Sequence, residues 1–165
     1  MPHTIAIFPK FDGLDKVKSI IKNYYPSPNK LEPHFALVYY FKKRPTKPEI
    51  DHAIKGFSSF EVKIDKLRAS SGNNYIFLDV TKGKGKIIRL KDTLYKELGL
   101  KWKGDFLYKP HITLGNFETK REQRAALREI KKEDLDFSCK IDSFVLMEFC
   151  DDLVRVKSKR RFVLD

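Results

Sequence analysis

Long apolar runs are missing from this sequence. No stretch approaches the roughly 20 residues that a bilayer-spanning helix needs. The opening residues Met-Pro-His-Thr-Ile-Ala-Ile-Phe-Pro-Lys have neither the basic start nor the extended apolar segment of a secretory signal. They read as a first strand, and the expectation is a cytoplasmic protein with no membrane partner. Cysteine is scarce: Cys139 and Cys150 are the only two. Phe137 to Cys150 reads as one extended strand, which turns odd and even positions to opposite faces, so no disulfide is expected between them. Neither cysteine has other ligands nearby at metal-binding spacing. Acidic side chains are also in short supply, 22 against 34 lysines and arginines, which leaves a formal charge of +12. A small protein this basic is suited to a polyanion such as nucleic acid or a nucleotide; the plainer alternative is lysine that keeps the chain soluble.

What is present is an ordinary core-forming composition, 41% hydrophobic over 165 residues, enough for a single compact domain. His3 to Phe8 alternates as a strand does and ends at Pro9. Leu14, Val17, Ile20, Ile21 and Tyr24 fall at helical spacing, with Pro26 and Pro28 as breakers. His34 to Phe41 is aromatic and β-branched, hence a strand. Thr46-Lys47-Pro48-Glu49 is a capping box that opens a helix carrying Ile50, Ala53, Ile54 and Phe57. Phe60 to Leu67 and Tyr75 to Val80 form a hairpin around a turn-rich segment.

The second half runs in the same order. Ile87, Leu90, Leu94 and Leu98 predict a helix stopped by Gly99. A strand from His111 to Gly115 comes after it, then a second capping box, Thr119-Lys120-Arg121-Glu122. A helix with Leu127 and Ile130 is next, then strands at Phe137 to Phe149 and Leu153 to Leu164. His34 and His111 are 111 − 34 = 77 residues apart, and so are Pro33 and Pro110, Leu37 and Leu114, Phe60 and Phe137, and Asp65 and Asp142. A common offset in two separate segments indicates an internal duplication. The expected fold is α+β: one domain over 1–165 made of two repeated lobes, about 1–82 and 83–165. Two antiparallel sheets would face a central cleft, with helices packed outside.

The duplication sets two histidines opposite each other. In Pro33-His34-Phe35-Ala36-Leu37 the strand period puts His34 and Ala36 on one face; in Pro110-His111-Ile112-Thr113-Leu114 it puts His111 with Thr113. Imidazole titrates near ~6.5, so one neutral and one protonated ring can coexist near neutrality. That is what a general base and a general acid need to act on a phosphodiester. Thr113 is placed to donate a hydrogen bond to a non-bridging phosphate oxygen, and a cleft that supplies positive charge needs no metal.

These two segments resemble the paired His-x-Thr/Ser motifs of the 2H phosphoesterase superfamily, which includes 2′-5′ RNA ligase-like and cyclic phosphodiesterase proteins. The resemblance extends over essentially the whole chain. The second motif matches in full; the first departs, with Ala36 where the family has a hydroxyl. The resemblance implies a bilobal, metal-free enzyme without cofactor that acts on 2′,3′-cyclic or 2′-5′ phosphodiesters of RNA or nucleotides. His34 and His111 would be the catalytic acid–base pair and Thr113 a phosphate ligand, in a monomer. The alternative is a non-catalytic RNA- or nucleotide-binding protein that keeps the cleft.

Other features carry less. His3 and His52 share no such context and read as surface residues. Arg155, Lys157, Lys159 and Arg161 alternate into a basic stripe that could follow a phosphate backbone or merely solvate an edge strand. Lys82-Gly83-Lys84-Gly85-Lys86 lacks the full spacing of a phosphate loop and reads as a linker between the halves. Phe8, Tyr40, Tyr75, Tyr108 and Phe149 are aromatic rings available either to stack a base or to fill the core.

Overall fold

The computed structural model describes residues 1–25, 31–104 and 107–165. In chain order the elements are β1 (His3–Ile7), α1 (Leu14–Tyr24), β2 (Phe35–Phe41), α2 (Lys47–Ala53), β3 (Phe60–Ala69) and β4 (Tyr75–Val80). They continue with α3 (Lys84–Glu97), β5 (His111–Asn116), α4 (Lys120–Ile130), β6 (Phe137–Ile141), β7 (Ser143–Phe149) and β8 (Val156–Val163). Pro26 and Pro28 lie outside the described residues; α1 ends ahead of them, with Tyr25 as its C-cap. Among the described residues no helix is long and apolar enough to cross a membrane.

The strands form two antiparallel four-stranded sheets, in the orders β2-β1-β7-β8 and β5-β4-β3-β6. The orders correspond place by place. Each sheet has its histidine-led strand on one edge and, beside it, the strand that precedes that one in the chain. Helix α1 packs on β5 and α3 on β2, so each helix covers the sheet that does not contain the strand before it. Val17 and Ile20 of α1 and Ile87, Leu90 and Leu94 of α3 join the inner faces of both sheets in one continuous buried cluster.

Two expectations change. First, Phe137 to Phe149 is not one strand. It breaks at exposed Asp142, and β6 pairs with β3 while β7 pairs with β1 and β8. The cause is a shift in side-chain parity. Phe137, Cys139 and Ile141 are buried at odd positions, whereas Phe144 is buried at an even one. A one-residue slip inverts every side chain, so the two runs serve different sheets. Cys139 and Cys150, both free, thus do not share a strand.

Second, the sheets do not divide where a cut at residue 82 would divide them. β3 and β4 belong with β5 and β6, and β7 and β8 with β1 and β2. The 77-residue offset therefore relates β2 to β5 across the molecule, but between Phe60 and Phe137 it relates neighbouring strands of one sheet.

Local signals hold closely. Thr46 accepts a hydrogen bond from the Glu49 amide while the Glu49 carboxylate accepts from the Thr46 amide, a complete capping box. Thr119 caps the Glu122 amide, but the Glu122 carboxylate reaches one residue further back, to the amide of Glu118. The Lys82–Lys86 segment is not a linker: Gly83 is the N-cap of α3, and Lys84 to Lys86 form its first turn. Gly83 has φ 82°, and a Cβ there would lie 2.4 Å from the Glu61 carbonyl oxygen of β3. Glycine allows both the left-handed backbone and the close approach.

Candidate active site

His34 immediately precedes β2 and His111 opens β5, each following a buried proline. Their rings are held in the same way. His34 Nδ1 lies 2.8 Å from the Glu32 carbonyl oxygen and His111 Nδ1 lies 2.6 Å from that of Lys109, in each case two residues back. A carbonyl only accepts, so each Nδ1 donates, and each neutral ring keeps the lone pair on Nε2. Two residues that are distant in sequence thus receive the same tautomer from the same backbone device.

The two sheets bring the expected residues together. His34 and Thr113 line a single pocket, along with Glu32, Pro33, Ile112, Ile21 of α1 and its C-cap Tyr25. His34 also lies near enough to His111 to disfavour its protonation electrostatically. Burial, the largest influence on both rings, holds both pKa values below the ordinary imidazole value; the backbone hydrogen bonds oppose it. With no ligand bound, both rings are therefore neutral at neutral pH. A phosphodiester anion between them would favour protonation of one, which creates the acid while the other remains the base.

The sign of this shift predicts a pH response. A histidine with a depressed folded pKa binds fewer protons folded than unfolded, so stability is full above ~6.5 and declines as pH falls toward the folded value. Acid titration of the ligand-free protein, followed by circular dichroism, should show stability loss beginning below about pH 6.5. The loss should shrink when both histidines are replaced by glutamine, leaving the part due to buried His3, whose pKa burial also lowers; an undiminished loss would contradict neutral burial of the two rings.

The surroundings of the two histidines differ. His111 faces Asp79 across β4, and Arg68 of β3 clamps Asp79 with two hydrogen bonds, Nε to Oδ2 at 2.6 Å and Nη2 to Oδ1 at 3.0 Å. The Arg68 guanidinium also lies 4.7 Å from the Phe77 ring centroid, and Phe77 sits 4.2 Å from the His111 ring. His34 has a phenylalanine in place of a carboxylate: the Phe8 ring lies 5.5 Å away. Ala36 faces Ala6, whereas Thr113 faces Phe77. The Ala36 position is nonetheless tied across the sheets, since the Tyr108 hydroxyl donates to its carbonyl at 2.9 Å.

Arg68, Asp79 and Phe77 escaped the sequence reading. They lie on a hairpin with no motif, and only strand register brings them to His111. Among the aromatic candidates, Phe8 touches His34 and Tyr75 stacks on Phe77. Tyr108 and Phe149 are buried, and half-exposed Tyr40 packs edge-on against Phe149. His52 is exposed, as expected, but His3 is 4% accessible, because β1 lies between β2 and β7 and is covered on both faces.

The basic stripe is shorter than its alternation implied. A register shift between Glu148 and Phe149 opposes Val156, not Lys157, to Phe149. Such a bulge reverses the facing of the residues beyond it. Lys157 reaches Glu148 at 3.5 Å, and Arg155 is held by Asp152 in the preceding turn. Lys159 and Arg161 remain on the His34 side. No group of three or more His, Cys, Asp or Glu side chains is placed to hold a metal ion among the described residues.

Known proteins share this fold. The family profile of the 2′-5′ RNA ligase superfamily matches residues 9–152. Among solved structures, E. coli LigT complexed with NADP+ is similar at TM-score 0.65 and 16% identity, over 99% of both chains. E. coli LigT complexed with 3′-AMP is similar at 0.59 and 15%, again over 99% of both. TT0787 of Thermus thermophilus is similar at 0.54 and 15%, over 100% of this chain and 96% of that one. At such identities the structural likeness speaks for the fold alone. No curated protein matches the chain in sequence. With most of the chain matched by the family profile and its two histidine strands paired across one cleft, this protein belongs to the 2′-5′ RNA ligase superfamily, within the 2H phosphoesterases.

Proposed function

We propose that this protein is a metal-independent phosphoesterase that opens 2′,3′-cyclic or 2′-5′ phosphodiesters of RNA or nucleotides, using His34 and His111 as its acid–base pair. The observation that carries this is the matched pair of Nδ1 anchors, which leaves both Nε2 atoms as the only ring nitrogens able to exchange protons with a ligand. One Nε2 takes a proton from the attacking water as its oxygen bonds to phosphorus. The other gives a proton to the departing ribose oxygen as the P–O bond breaks. Thr113 donates to a non-bridging oxygen, and the net positive charge of the chain favours the anionic substrate. Solved LigT complexes with NADP+, 3′-AMP, ATP and phosphate support a phosphate-bearing ligand.

Ala36 favours a second reading, a binding protein without turnover, because the hydroxyl that would mirror Thr113 is missing. A hydrogen bond to a charged group contributes about 1.5–3 kcal/mol. If it acts wholly in the transition state, Ala36→Thr should raise turnover roughly ten- to a hundred-fold. The test is turnover of 2′,3′-cyclic mononucleotides and short cyclic-phosphate-ended RNAs in EDTA. Chelator-resistant opening of the cyclic phosphate, faster in Ala36→Thr, is the expected result. No turnover by either protein, with phosphate-ended RNA still bound, would replace the enzyme reading by the binding one.

A further inference from the structure

The basic residues of β8 have no part in the chemistry above, yet strand register turns two of them to the same face as His34. Ala36 faces Ala6 of β1, Ala6 faces Val145 of β7, and Val145 faces Arg161 of β8. One step along, Thr4 faces Met147 and Met147 faces Lys159. Directly paired residues in antiparallel strands project to the same side. The ring contacts agree: the Lys159 ammonium lies 6.0 Å from the Phe8 ring centroid, and Phe8 lies against His34. Both cations are exposed. Lys159 has no ion-pair partner within 4.0 Å among the described residues, and the Arg161 link to Asp142, at 3.5 Å, joins two exposed groups. Such a pair is weak and easily exchanged for a stronger anion.

The spacing decides what these cations can hold. β8 is three strands from β2, or about 14 Å at ~4.8 Å per strand. The Lys159 ammonium stands on the Phe8 side of His34, set toward the backbone of a longer nucleic acid that ends at the histidines more than toward the terminal phosphate itself. Between the two sites the accessible wall is apolar: half-buried Phe8, Val145 and Val156 pack over a buried cluster of Ala6, Met147 and Phe149. That surface can lie beneath sugars and bases but offers phosphate nothing.

We propose that Lys159 and Arg161 form a second phosphate subsite, which binds the backbone of a single-stranded polynucleotide whose terminal phosphodiester lies at the histidines. This rests on the proposed function for the position of the chain end, but the subsite is measurable without turnover. The experiment compares wild type, Lys159→Ala/Arg161→Ala and the charge-matched Lys157→Ala/Arg160→Ala. Arg160 pairs with Leu146 on the opposite face, and Lys157 is turned to Glu148. Affinity is read by fluorescence anisotropy with a labelled hexanucleotide ending in 3′-phosphate, over a salt series and in competition with 3′-AMP. KM is read for the corresponding cyclic-phosphate-ended hexanucleotide and a cyclic mononucleotide.

Removing both β8 contacts should weaken hexanucleotide binding about tenfold. It should also reduce the slope of log affinity against log salt by about 1.4, the release expected for two single-strand phosphates. The preference for the hexanucleotide over the mononucleotide should shrink to match, in KM and not in kcat. An equal effect of the Lys157/Arg160 pair would mean general attraction only and would overturn the subsite. So would an unchanged salt slope. Absence of turnover in every protein would count against the proposed chemistry, while the anisotropy comparison still decides the subsite.

Discussion

His34→Ala and His111→Ala are each expected to lower chelator-resistant opening of a cyclic phosphate by 10²–10⁴-fold, the usual contribution of a positioned general acid or base. The loss should appear mainly in kcat, because proton transfer to and from the reacting oxygens belongs to the transition state. Removing both should cost little more than removing one, since an acid without its base completes no turnover. The anchoring geometry sharpens the expectation. Each ring is oriented through Nδ1 by a carbonyl of its own strand approach, so replacing it leaves the partner ring in place. His52→Ala makes the same chemical change at an exposed site across from Glu97 and should leave turnover as it was. Steady-state kinetics on the three variants decides the matter. A variant at His34 or His111 that keeps more than about a tenth of wild-type kcat would remove that histidine from the chemistry.

The largest expected effect on stability comes from a residue with no side chain. Gly83→Ala should destabilise the fold by about 2–5 kcal/mol, the sum of about 1–2 for a Cβ in the left-handed region and 1–3 for overpacking. The contact is unforgiving because its other side is backbone, the Glu61 carbonyl, which cannot rotate away as a side-chain end can. Gly56 provides the comparison: its φ is 86°, but a Cβ there would meet nothing within 4 Å. Gly56→Ala should therefore incur only the conformational part, about 1–2 kcal/mol. Urea midpoints at unchanged slope measure both. Equal losses would show that the approach of α3 to β3 is not tight.

Much of this was legible in the chain. Periodicity placed the helices because their apolar faces pack on sheets, and local cap chemistry placed Thr46 and Thr119 because it needs no tertiary partner. Both histidines stood out as candidates because they recur after a proline at a constant offset, and Thr113 because it completes the second motif. The β3–β4 hairpin was legible from its turn, but exact register and the pairing of strands distant in sequence were not, since hydrogen bonding across a sheet leaves no local mark. The split at Asp142 did leave one, the move of the residues facing the main core from odd positions (Phe137, Cys139, Ile141) to even ones (Phe144, Leu146), which a reading of continuous β-propensity passes over. Arg68 and Asp79 were hidden for the first reason: eleven residues apart, they meet only because β3 and β4 pair in this register.

That single residue between β6 and β7 also bears on how the cleft handles its ligands. The chain crosses between the walls twice, through α2 on the way from β2 to β3 and through Asp142 alone on the way from β6 to β7, while β3 and β7 are each hydrogen-bonded between two neighbours in their sheets. At the second crossing the walls have no free length of linker on which to swing. That short crossing is expected to hold the two walls near one spacing, as the set screw of a calliper holds its jaws.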